Sequence, residues 1–148
     1  MNFREEAEYR LSLAESSLRD SRKFREDKLY HWSVLSAQLS VENSAKAVIS
    51  CFRTPSWVHD PSTELEDIIN EQKEKIAGKV GEHVVARLKT LSDAAAELAP
   101  EHGKATYGLI ERRVPPSDIY DETSATRALD LAEQSYETAQ RFVKEWFT

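Results

Sequence analysis

Apolar residues recur along this chain at steps of three and four. From residue 3 to 26, Phe3, Ala7, Leu11, Ala14 and Leu18 keep that rhythm, which puts them on one face of a helix. Arg4, Glu5, Glu8, Glu15, Arg19 and Arg22 fill the opposite face, and Asn2 is the expected cap. A second segment, about 28 to 53, carries a wider stripe: Leu29, Trp32, Leu35, Leu39, Ala45, Val48, Ile49 and Phe52. That width predicts the central helix. Pro55 and Pro61 turn the chain between residues 53 and 63.

A third segment opens at Ser62 or Thr63, with Glu66 offering a capping box to Thr63. A break is expected near Gly78, with helix resuming to about residue 98 and ending at Pro100. A shorter segment is expected over about 102–112. The last helix, about 122 to 147, has the cleanest period: Ala125, Leu129, Ala132, Tyr136, Ala139, Val143 and Trp146. Asp121, Thr123 or Ser124 can cap it. The expected fold is all-α: one domain over residues 1–148, an antiparallel up-and-down bundle of four to five main helices.

Composition agrees and adds limits. Apolar residues make up 40% of the 148 and charged residues 31%, with only four glycines, which suits a helical globule with a real core. The net charge of −6 argues against a general nucleic-acid coat, which needs a basic face. A small cationic pocket remains open. The single cysteine, Cys51, excludes an internal disulfide and sits in an apolar helix end, as a core residue would. The charged start and the absence of a ~20-residue apolar run read as a cytoplasmic chain without a membrane anchor.

Two stretches carry candidate chemistry. In AQLSVENSAKAVI, Gln38, Glu42 and Lys46 stand at i, i+4 and i+8 on one helix face. By spacing alone, Glu42 and Lys46 make a surface ion pair worth about 0.3–0.5 kcal/mol; a core network is the alternative. In RRVPPSDIY, residues 112–120, two arginines and two prolines precede an acid and a tyrosine just before the last helix. Read plainly, this is a connector, with Asp118 favouring a helix start and Arg112 and Arg113 free to pair with Glu111 or Asp121.

The four histidines, His31, His59, His83 and His102, show no i, i+4 pair with a third ligand nearby, so no metal site and no cofactor are expected. His102 reads as part of a helix start, and His59 as a cap or a backbone partner beside Pro61. Arg53 and His59 also stand six apart, a spacing that chance supplies easily. Trp57, in the proline-flanked loop, either covers the bundle end or forms a partner surface.

The ordered set of these features resembles the HEPN family of small helical bundles. Ala37, Gln38, Val41, Glu42, Lys46 and Ala47 match its second-helix phrase, after the aromatic approach Tyr30–Trp32. Ala7, Leu11, Ala14 and Leu18 resemble its first helix, His59 a frequent histidine, and Tyr120, Ala125, Ala128, Leu129 and Ala132 its last helix. The resemblance implies a homodimer that binds nucleotide or RNA phosphate, in a toxin–antitoxin-like or RNA-related setting. Many members are metal-independent endoribonucleases whose signature is Arg, four to six residues, then His, near the start of the last helix; a subset extends it to Arg-x4-His-x-Tyr.

Here the corresponding residues are Arg113, Asp118 and Tyr120, with aspartate where the motif has histidine. The chemistry needs arginine to hold phosphate bidentately and histidine to move a proton near neutral pH. A solvated aspartate, with an ordinary pKa of about 3.9, is a poor general acid and repels phosphate. The expectation is therefore phosphate binding by Arg112 and Arg113, with nuclease activity through Arg113 and Asp118 lost or altered. Tyr120 matches a tyrosine that nucleotidyltransferase partners modify in part of the family. The alternative function is a non-catalytic interaction module that docks such a nucleotidyltransferase-like partner.

Overall fold

A computed structural model describes residues 2–148. The chain forms α1 (Phe3–Glu26), α2 (Tyr30–Ser50), α3 (Ser62–Val80), α4 (Glu82–Leu98), α5 (Glu101–Tyr107) and α6 (Glu122–Trp146), with a 3₁₀ turn at Pro116–Asp118. The all-α bundle expected from the apolar period is therefore present, as five long helices and a short one.

Small residues bring α1 and α2 together. The Ser40 hydroxyl donates to the Ala14 carbonyl at 2.8 Å, and Ser21 and Ser33 exchange hydroxyl-to-carbonyl bonds at 2.8 Å each. Residue 14 thus meets 40 while 21 meets 33, so the two helices run antiparallel. Such exchanges satisfy buried hydroxyls that would otherwise carry a desolvation cost. Asn2 caps α1 as expected, accepting from Glu5 N at 3.1 Å.

Helix α2 lies at the centre and touches α1, α3, α4, α5 and α6. Every residue from Ser40 to Ser50 on it is buried, which a helix tolerates only when packed on all sides. Its Ile49 shares the core with Leu65, Ile69, Leu88, Leu129 and Phe142 of the surrounding helices. Cys51 is in this core, and burial pushes its thiol up to about 12, so it is not poised as a nucleophile.

Three local expectations are corrected. The α3–α4 break falls at Gly81, not Gly78, because Gly81 has φ +108°, and a Cβ there would meet the His83 ring at 2.7 Å. Gly78 stays helical. The Thr63 capping box does not form; α3 begins at Ser62, and Asp60 Oδ1 accepts from Ser62 N at 3.0 Å. Helix α5 stops at Tyr107, since Gly108 takes φ +76°.

Candidate functional site

The polar stripe of α2 faces inward. Glu42 and Lys46 side chains are only 8% and 7% exposed, and Lys46 Nζ donates to Glu42 Oε2 at 3.2 Å. The solvated surface pair is thus replaced by a buried one. Isolated buried charges are costly, so the pair persists only because each end is bonded. Gln38 Nε2 donates to Glu42 Oε1 at 3.1 Å, which gives the other carboxylate oxygen a donor as well.

Two histidines complete this cluster. His59, on the loop after α2, places Nδ1 3.0 Å from Glu42 Oε1. His102, in the first turn of α5, places Nδ1 3.0 Å from Gln38 Oε1. Their rings stack with centroids 3.6 Å apart and planes 16° from parallel. Burial lowers the His102 pKa, and the neighbouring His59 lowers it further against a smaller upward pull from Glu42. His59 therefore serves Glu42 rather than capping a helix. Among the described residues, Glu42, His59 and His102 each offer one ligand atom within 4.8 Å of the others.

The α5–α6 connector has a different character. Gly108 opens a tight loop closed by Leu109 and Val114, whose backbones bond at 2.9 and 3.1 Å. A Cβ at Gly108 would fall 2.1 Å from the Val114 carbonyl oxygen, so only glycine fits that closure. Arg112 and Arg113 project from the loop and are exposed. Neither side chain has an ion pair or hydrogen bond among the described residues, so the expected pairing with Glu111 or Asp121 is absent. Arg113 has φ +55°, a left-handed conformation that non-glycine residues adopt at some cost.

Asp118 ends the 3₁₀ turn and is exposed. Tyr120 is half-buried, and its hydroxyl donates to the Glu101 carboxylate, which also holds Lys104 at 3.3 Å. Burial, then that hydrogen bond, pushes the Tyr120 pKa up. Asp121 caps α6 in a reciprocal box with Ser124.

Neighbouring residues of α5 thus serve both regions: Glu101 holds Tyr120, and His102 holds Gln38. Gln38, Glu42 and Lys46 come together as their spacing suggested. Arg112, Arg113 and Asp118 do not join them. The partner that sequence reasoning missed is His102, which lies 64 residues from Gln38.

The family model described as HEPN domain matches residues 7–144 of the chain. No curated protein and no solved structure matches it.

Proposed function

Because the chain belongs to the HEPN domain family, we propose that it is a nucleotide- or RNA-phosphate-binding protein that works as a homodimer without efficient ribonuclease activity. The family itself supports a nucleotide- or RNA-related role. The observation that carries the finer reading is the pair of exposed, unpaired arginines, Arg112 and Arg113, on a closed loop. An unpaired guanidinium keeps its fork of donors for phosphate. A loop held by backbone bonds presents both with little ordering cost. A toxin–antitoxin-like or other RNA-related setting is the role in which such binding would operate.

Cleavage is the weak point. Exposed Asp118 stands where proton transfer would need histidine, and a solvated carboxylate is a poor general acid. The test uses a fluorescent single-stranded RNA and an anisotropy titration at several salt concentrations. Arg112→Ala with Arg113→Ala should abolish binding or flatten the salt dependence. Asp118→His should add chelator-resistant cleavage to a protein that otherwise cleaves little. Unchanged binding in the double variant would refute the phosphate reading.

A second reading, docking of a nucleotidyltransferase-like protein, is favoured by Tyr107 and Ile110, which are 70% and 72% exposed beside the arginines. If such a partner modifies Tyr120, the Glu101 bond to its hydroxyl has to open first.

A further inference from the structure

We propose that Glu42, His59 and His102 form a binding site for a divalent transition-metal cation, with zinc as the best match. The site is separate from the phosphate reading, since Arg112, Arg113 and Asp118 take no part in it. Its three ligands come from three elements: α2, the loop after it, and the first turn of α5.

Spacing is the first argument. One ligand atom from each residue lies within 4.8 Å of the other two, and Glu42 Oε1 is 3.0 Å from His59 Nδ1. Tetrahedral coordination with bonds of about 2.1 Å asks for ligand separations of about 3.4 Å. The three ligand atoms are therefore already gathered near that spacing, and reaching it takes a reorientation of one histidine ring. Two imidazoles and one carboxylate suit zinc and similar cations rather than magnesium or calcium, which prefer oxygen. Three protein ligands leave a fourth position for water.

Support around the ligands is the second argument. Gln38 contacts all three residues, donating to Glu42 Oε1 and, at 3.4 Å, to the His59 backbone carbonyl, and accepting from His102 Nδ1. Lys46 occupies Oε2 and leaves Oε1 toward the histidines. This is how outer groups orient metal ligands.

Access is the third. Glu42 is buried, whereas the His59 side chain is 60% exposed and opens the cluster to solvent. Stacked rings cannot both hold one cation in their planes, so His59, on its loop, turns out of the stack on binding. Lys46 keeps the local charge positive once a cation enters, so affinity falls below that of a closed four-ligand site.

Untagged protein, stripped with chelator, is titrated with zinc by calorimetry and with cobalt by visible absorption. One ion per chain is expected, with the intense bands of low-coordinate cobalt and a thermal midpoint that rises with zinc. His59→Ala and His102→Ala should each abolish binding, whereas His31→Ala and His83→Ala should leave it. Gln38→Leu should weaken it by about 10–100-fold. Absence of binding in the parent protein overturns the proposal. So does unchanged binding in His59→Ala, an exposed position where folding is not at stake.

Discussion

The α2 cluster and the α5–α6 connector hold the same kinds of residue in opposite situations. In the cluster, Gln38, Glu42, Lys46, His59 and His102 are tied to one another by bonds of 3.0 to 3.2 Å. In the connector, Arg112 and Arg113 are exposed and have no side-chain partner among the described residues, while the backbone beneath them is closed by Leu109 and Val114. One region pairs its polar groups with one another; in the other, the two arginines have no side-chain partner among the described residues. Local charge therefore says little about role. What differs is whether the surrounding fold supplies a partner for each group.

The largest expected break lies in the cluster. Lys46→Met leaves Glu42 buried without its cation and should cost about 3–5 kcal/mol in urea unfolding. Adding Glu42→Gln should recover a large part of that loss, because the stranded charge goes with it. If the single variant loses less than 1 kcal/mol, the pair is not the buried network described above.

Next comes the frame of the connector. Gly108→Ala forces a Cβ onto the Val114 carbonyl oxygen and a positive φ onto alanine. A stability loss of about 1–3 kcal/mol is expected, together with weaker RNA binding as the loop opens. Arg113→Ala removes only an unpaired side chain and should shift stability by less than about 0.5 kcal/mol. Arg113→Gly should stabilise by up to about 1 kcal/mol by relieving the left-handed backbone at φ +55°. A large loss in Arg113→Ala would mean that the connector, too, is internally bonded.

The smallest effect sits where the connector meets α6. The backbone and side chain of Ser124 lower the Asp121 pKa below its ordinary 3.8. A depressed carboxyl pKa contributes stability above the unfolded value, lost as pH falls through the lower native value. The urea midpoints of the parent and of Asp121→Asn should therefore differ above pH 3.8 and converge as the acid range is entered. A difference that grows toward low pH would reverse the sign.

Much of this architecture was legible in the sequence. The α1 boundaries and the period of α6 follow from side-chain spacing, because a helix face repeats every three to four residues; the Asn2 cap was read from its residue type, and Asp121 was one of three candidates for the α6 cap. The Gln38–Glu42–Lys46 alignment was legible for the same reason. Its burial was not, since spacing places residues on a common face without saying what that face meets. His59 was expected at a cap and instead reaches Glu42. His102 carried no local signal, because its partner lies on another helix. The Gly78 and Thr63 expectations failed on competition: Gly81 and Asp60 stood close by and fitted the local geometry better.

Trp57 shows the same limit from the other side. The loop around it was read correctly from Pro55 and Pro61, yet only the structure shows the ring 99% exposed. The sequence by itself determined the helical class, the long helices and the family, although it misplaced the α3–α4 break and the end of α5. Each of those depends on near neighbours or on an ordered pattern along the chain. The tertiary structure alone decided which charges are buried and paired, which histidines meet, and which arginines have no side-chain partner among the described residues. Those outcomes depend on contacts between residues far apart in sequence, made only once α2 is enclosed by its neighbours.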